Sequence, residues 1–140
     1  MINKKSVLIV CAIIAIIVLG VSTLVYGYFY FAYDYANIVI KSVNYDGLDE
    51  FEFDEQGITE TGEKASDYYA LLLYNDKPDG YPNMKNKFTV ESVSLGAISF
   101  KIDSNLVFRD DNNEIVSEYS GTRILNLKLV DFKWRIDSVQ

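Results

Sequence analysis

Two hydrophobic rhythms divide the chain. From Ser6 to Tyr33 no residue carries a charge, and Lys5 and Asp34 bracket the run. A helix crosses a bilayer with about 20 apolar residues. This stretch is therefore long enough to span and still project beyond. Its most apolar part is residues 6–25, which include "VLIVCAIIAIIVLG". Beyond residue 36 the apolar positions recur every second residue or every third and fourth, the patterns of elements with one wet face.

The second region resolves into elements. Residues 36–45, "ANIVIKSVNY", are β-branched and either prolong the first helix or begin a strand; "YDGL" at 45–48 signals a turn. In "LDEFEFDEQG", Phe51 and Phe53 alternate with Glu50, Glu52 and Asp54. That period of two predicts a half-buried strand, and with the preceding segment a hairpin over 38–54. "TGEKASDYYALLLYND" (61–76) predicts a helix. Ala65, Tyr68, Tyr69, Leu72 and Leu73 share a face, Thr61 caps the start, Glu60 and Glu63 suit its positive end, and Asn75 and Pro78 stop it. The loop 75–83 holds both prolines.

The last third reads as an antiparallel meander. Strands are expected at 88–95, at 97–108 with Ile98, Phe100, Ile102, Leu106 and Phe108 inward, at 115–129, and at 132–139 with Phe132, Trp134 and Ile136 inward. Gly96 and "RDDNNE" (109–114) supply turns. A one-sided sheet needs a cover, which the 61–75 helix would provide. The fold class is α+β: an N-terminal transmembrane helix followed by a curved antiparallel sheet packed on one main helix.

The ending "LNLKLVDFKWRIDSV" (125–139) resembles the closing hairpin of NTF2-like (cystatin-like) domains, in which a Trp–basic–Ile–Asp strand completes a curved sheet. The resemblance is confined to the C-terminal strands. It implies helix first and long antiparallel strands after. The superfamily includes single-pass envelope proteins that scaffold bacterial secretion and conjugation machines. Residues 36–60 depart from it, reading as strands where such domains open with a helix pair. Its enzymes commonly use a pocket His and Asp; this chain has no His, so no catalytic residue carries over.

The border between the two regions is aromatic. "VYGYFYFAYDY" (25–35) holds seven rings. Tyrosines collect at membrane–water interfaces because the ring is apolar and the hydroxyl seeks water. Tyr26, Tyr28, Tyr30, Tyr33 and Tyr35 either form such a belt or pack on the domain or a partner helix. Lys4 and Lys5 precede the run, and the twenty residues after it hold only Lys41. By the positive-inside rule the N-terminus is cytoplasmic. The expected organisation is a cytoplasmic tail (1–5), a transmembrane anchor with an aromatic belt (6–33) and an extracytoplasmic domain (36–140) in the cell membrane. A cleaved signal peptide would have a core of about 7–15 residues, shorter than this run. Cys11 lies inside the run and follows Val10 where a lipobox wants a small residue. The domain itself has no cysteine and so no disulfide, which suits a bacterial exported protein resting on its core.

Charge narrows the function. The chain has 13 basic and 20 acidic residues, a net −7, and setting aside Lys4 and Lys5 leaves −9 for the domain. Such a surface repels nucleic acid. Asp46 to Glu63 holds eight carboxylates and no Lys or Arg. Asp49, Glu50, Glu52, Asp54 and Glu55 are the candidate partner-binding residues, a field that would steer a protein with a basic surface. The alternative is a solvated edge strand whose charges block sheet-to-sheet pairing. Tyr69, Phe100, Phe108, Leu125, Leu127 and Trp134 would line a pocket between sheet and helix, although Trp134 shares a face with Phe132 and Ile136, as a core residue does. No metal, cofactor or catalytic residue is expected: histidine is missing, the domain lacks a thiol, and no nucleophile elbow or phosphate loop occurs. The expectation is a non-enzymatic, membrane-anchored protein-binding module, either an immunity-type inhibitor of a toxin or a scaffold of a secretion or conjugation assembly. The alternative is a carrier of lipid or cell-wall fragments.

Overall fold

The computed structural model of the chain describes residues 3–43, 51–71 and 83–140. The chain forms two compact units, Met1–Asp34 and Tyr35–Gln140. Helix α1, Lys4–Lys41, contributes to both.

In the first unit α1 is apolar over most of its length. It is the one helix among the described residues long and apolar enough to cross a membrane; its most apolar 18-residue window has a mean hydropathy of 3.0 and none of it is buried within the chain. At 1.5 Å per residue, α1 is about 57 Å long, well beyond a hydrocarbon core of about 30 Å. The Thr23 hydroxyl donates to the Leu19 carbonyl at 2.9 Å. A polar group amid apolar side chains is thus satisfied within the helix. Tyr26 and Tyr30, four apart, stack with ring centroids 6.1 Å apart, and Tyr30 meets Phe31 edge-on.

In the second unit the remainder of α1 becomes a core element. Ala36, Val39, Ile40 and Val43 are buried while Ile38 stays exposed. This is the i, i+3, i+4, i+7 spacing of a helical stripe, and of the two readings of 36–45 it selects the helix. The hairpin predicted over 38–54 does not form: 38–41 is helical, and residues 51–54 lie outside any strand. Phe51 and Phe53 still turn partly inward. They pack on the Tyr68 ring at centroid distances of 4.4 and 5.4 Å. Side-chain alternation therefore survives without a ladder.

Of the predicted 61–76 helix, the described residues 61–71 contain α2, Ala65–Tyr69, which begins four residues later than expected. Residues 54–64 are instead committed to turns, with Gly57 and Gly62 at positive φ. Lys64, not Thr61, holds the cap position and makes no side-chain cap bond. Tyr68 and Leu71 are buried and Tyr69 is exposed. Leu72, Leu73, the loop 75–83 up to residue 82 and the 45–48 turn lie outside the described residues.

Four strands follow, β1 (Asn83–Ser94), β2 (Ala97–Arg109), β3 (Ile115–Val130) and β4 (Lys133–Val139), in the antiparallel order β1-β2-β3-β4. Ile98, Phe100, Ile102, Leu106, Leu125, Leu127, Trp134 and Ile136 fill the core, as the period of two requires. Phe100 meets Phe88 edge-on at 6.2 Å. Ser104, also inward, faces Gly121 across the ladder. Phe108 is half-buried at the strand end. Phe132 is a clear departure: it was expected inward, yet it is 97% exposed. Val130 pairs with Lys133, so Asp131 and Phe132 form a two-residue turn and Phe132 leaves the alternation. Replacing fully buried Leu125 by Ala should cost about 2–5 kcal/mol, read as a lowered denaturation midpoint of the detergent-solubilised chain. A loss under about 1 kcal/mol would place Leu125 outside the tight core.

Candidate functional site

The acidic segment folds into a compact pair of nested turns. The Asp54 carboxylate accepts the backbone N–H of Gln56 (2.8 Å) and Ile58 (2.9 Å), and Asp54 N–H reaches the Ile58 carbonyl. Asp and Asn form such turns because the side-chain oxygen mimics a backbone carbonyl. A second turn closes Thr59 to Glu63, an isolated bridge joins Ile58 to Lys64, and Ala65 N–H bonds the Gly57 carbonyl. Gly57 and Gly62 have φ of 73° and 83°, the left-handed region that glycine enters without steric cost. Arg135 of β4 donates to the Thr61 carbonyl and so ties the loop to the sheet.

Beneath the loop lies Glu63, buried among hydroxyls. Its Oε1 accepts the Tyr35 hydroxyl of α1 and the Ile136 N–H of β4, the latter at 2.8 Å. Its Oε2 accepts the Tyr68 hydroxyl at 2.8 Å and the Thr61 hydroxyl at 3.2 Å. An ionised carboxylate has about four lone-pair sites, and four donors occupy them. The threonines extend the set. Glu63 N–H bonds Thr59 Oγ1 at 3.1 Å, and Thr59 lies 2.9 Å from Thr61. Since Thr61 gives its proton to Glu63, Thr59 is the donor in that pair. Both Glu63 oxygens are therefore fully hydrogen-bonded, and the side chain joins α1, the loop, α2 and β4.

Burial holds the Tyr68 phenol well above its usual value; the Tyr35 hydroxyl offsets this in part, and the Glu63 carboxylate reinforces it.

The predicted partner-binding residues divide. Glu52, Asp54 and Glu55 are exposed on this loop together with Glu60; Asp49 and Glu50 lie outside the described residues. The ion pairs found among the described residues, Lys101–Asp103 and Lys128–Asp137, lie on the sheet and include no loop acid. The pocket residues differ in burial. Phe100, Leu125, Leu127 and Trp134 belong to the buried core, Phe108 is half-buried, and Tyr69 is 58% exposed. Among the described residues no group of three His, Cys, Asp or Glu could hold a metal ion.

Glu63 was read from the sequence as a surface acid near a helix start. Its partners Tyr35, Tyr68 and Ile136 lie 28, 5 and 73 positions away. Nothing local separates it from Glu60. In comparisons with known proteins, no family model, no curated protein and no solved structure matches the chain.

Truncating Glu63 to Ala should leave four donors without their acceptor, two of them on the buried residues Tyr68 and Ile136, and cost about 3 kcal/mol or more, whereas Tyr68→Phe, which removes one bond to a charged group, should cost about 1.5–3 kcal/mol. Chemical denaturation measures both; near-neutral effects would show the node to be dispensable. The pH dependence has a definite sign. A phenol raised in the folded state stabilises fully below the unfolded tyrosine value of about 10. That contribution is lost as pH climbs further, because only the unfolded chain then releases the proton. Stability should fall on the alkaline side, and less steeply in Tyr68→Phe; equal slopes would remove Tyr68 as a source.

Proposed function

We propose that the chain is a single-pass membrane-tethered module whose N-terminus is cytoplasmic and whose Tyr35–Gln140 unit works outside the cell by binding a protein with a basic surface. The observation that carries this reading is the loop bearing Glu52, Asp54, Glu55 and Glu60: four exposed carboxylates on a backbone closed by its own hydrogen bonds and keyed by Glu63. A surface ordered before encounter spends less entropy on binding, and a field of one sign speeds capture of a cationic partner. Two roles suit such a tethered binder. One is an immunity-type inhibitor that covers the basic site of an incoming toxin. The other is a scaffold subunit of a secretion or conjugation assembly, the role suggested by the resemblance of the sequence "LNLKLVDFKWRIDSV" to the closing hairpin of NTF2-like domains. Neither role asks the protein for catalysis or a cofactor, and the negative domain is unsuited to nucleic acid.

The test is capture by the full chain held in lipid nanodiscs, from secreted and envelope fractions, across a salt series. Changing Asp49, Glu50, Glu52, Asp54 and Glu55 to Asn or Gln should weaken capture about tenfold or more at low salt and flatten the salt dependence. The Asn at position 54 keeps the oxygen that closes the turn, so the loop survives. Capture unchanged in strength and in salt slope would reject the acidic loop as the contact.

A further inference from the structure

The sheet has two edges, and they are finished differently. β4 forms one of them. There the Ile136 N–H is spent on Glu63 Oε1 and Arg135 donates to the Thr61 carbonyl, so the loop is tied to that edge. β1 forms the other and runs for 12 residues. Among the described residues, the backbone of Lys87, Thr89 and Val90 is bonded from β2 alone. Lys85, Lys87, Thr89, Val90 and Glu91 are all exposed. An open edge presents N–H and C=O groups that can take a further strand.

Charge says which strand fits. The domain carries −9 once Lys4 and Lys5 are set aside, and a surface of one sign keeps copies apart. β1 is an exception: Lys85 and Lys87 against Glu91 leave it at +1. Its charges are also ordered, basic before Thr89 and acidic after. Lysines on an edge ordinarily turn another strand away, but an antiparallel copy of this strand brings its own glutamate. Centred on Thr89, such a pairing sets Lys87 opposite the second copy's Glu91, and Glu91 opposite its Lys87. No ion pair found among the described residues engages Lys85, Lys87 or Glu91. The register slips between Val90 and Ser92 and leaves Glu91 without a partner in β2, as the extra residue of a β-bulge is.

The apolar pattern agrees. Val90 and Val93 are 46% and 48% exposed, whereas Phe100 and Ile98, opposite them in β2, are 2% and 1% exposed. Cover of the core face therefore runs out at β1. A second β1 in this register brings its Phe88 beside Val90 and continues the apolar face across the joint.

We infer that β1 is a self-docking edge: two copies of the chain pair their β1 strands antiparallel about Thr89 and join their sheets into one. The contact is isologous, each strand meeting its own surface, so it closes at two copies. The pairing uses no residue of the acidic loop 52–60 and does not depend on the role proposed for it.

The test uses the full chain with Cys11→Ser in detergent micelles, followed by sedimentation equilibrium and by oxidation of single cysteines. The chain should be a dimer. Thr89→Cys, beside its own counterpart on the two-fold axis, should link two copies through a disulfide under mild oxidation. Asn112→Cys, exposed on the β2–β3 turn, should not. Lys87→Glu should weaken the dimer about tenfold or more, and so should Glu91→Lys, because each sets like charges opposite one another twice. The double variant Lys87→Glu/Glu91→Lys restores opposite charges and should recover the dimer. Both positions are exposed, and circular dichroism checks that each variant is folded. A monomer throughout the concentration range overturns the inference. So does a dimer indifferent to both single reversals, which places the contact elsewhere in the chain, and so does linkage at 112 as fast as at 89. A double variant no better than the single ones overturns the pairing about Thr89.

Discussion

A carboxylate taken out of water is costly unless hydrogen bonds replace its hydration. Glu63 meets that condition in full, with two donors on each oxygen. The donors come from a helix, a loop, a second helix and the backbone of a strand. Each segment is held by one shared acceptor, so none can shift alone without leaving a polar group unpaired. Buried polar groups of this kind specify arrangement more than they add net stability. Here they fix where the acidic loop sits on the sheet.

Around that node the apolar contacts are short and local. Phe51 and Phe53 clasp the Tyr68 ring, and the helical stripe Ala36, Val39, Ile40 and Val43 is buried in the same unit. The most apolar window of α1 is unburied within the chain, while Ala36, Val39 and Ile40 further along the helix are domain core.

Exposed features then acquire contrasting roles. The loop 52–60 carries charge on a backbone made rigid by turns, and the Leu95 and Phe132 turns carry apolar groups on backbones whose hydrogen bonds are largely internal.

Patterns that depend on neighbours were legible in the linear sequence. The uncharged run fixed α1, and the period of two fixed β2 and the inward set Ile98, Phe100, Ile102 and Leu106, because side-chain direction in helix and strand follows from backbone geometry alone. Glu52, Asp54 and Glu55 were legible as exposed acids because an unpaired carboxylate stays in water. What tertiary structure decided turned on distant partners. Thr61 left its capping role and Glu63 went inward because hydroxyls from Tyr35 and Tyr68 and the Ile136 N–H converge there. The helix predicted from 61 begins instead at Ala65 because the turns of 54–64 claimed its first residues. Phe132 left the core because the register of β3 with β4 put it in the turn, a choice set by pairing across strands that no local pattern encodes.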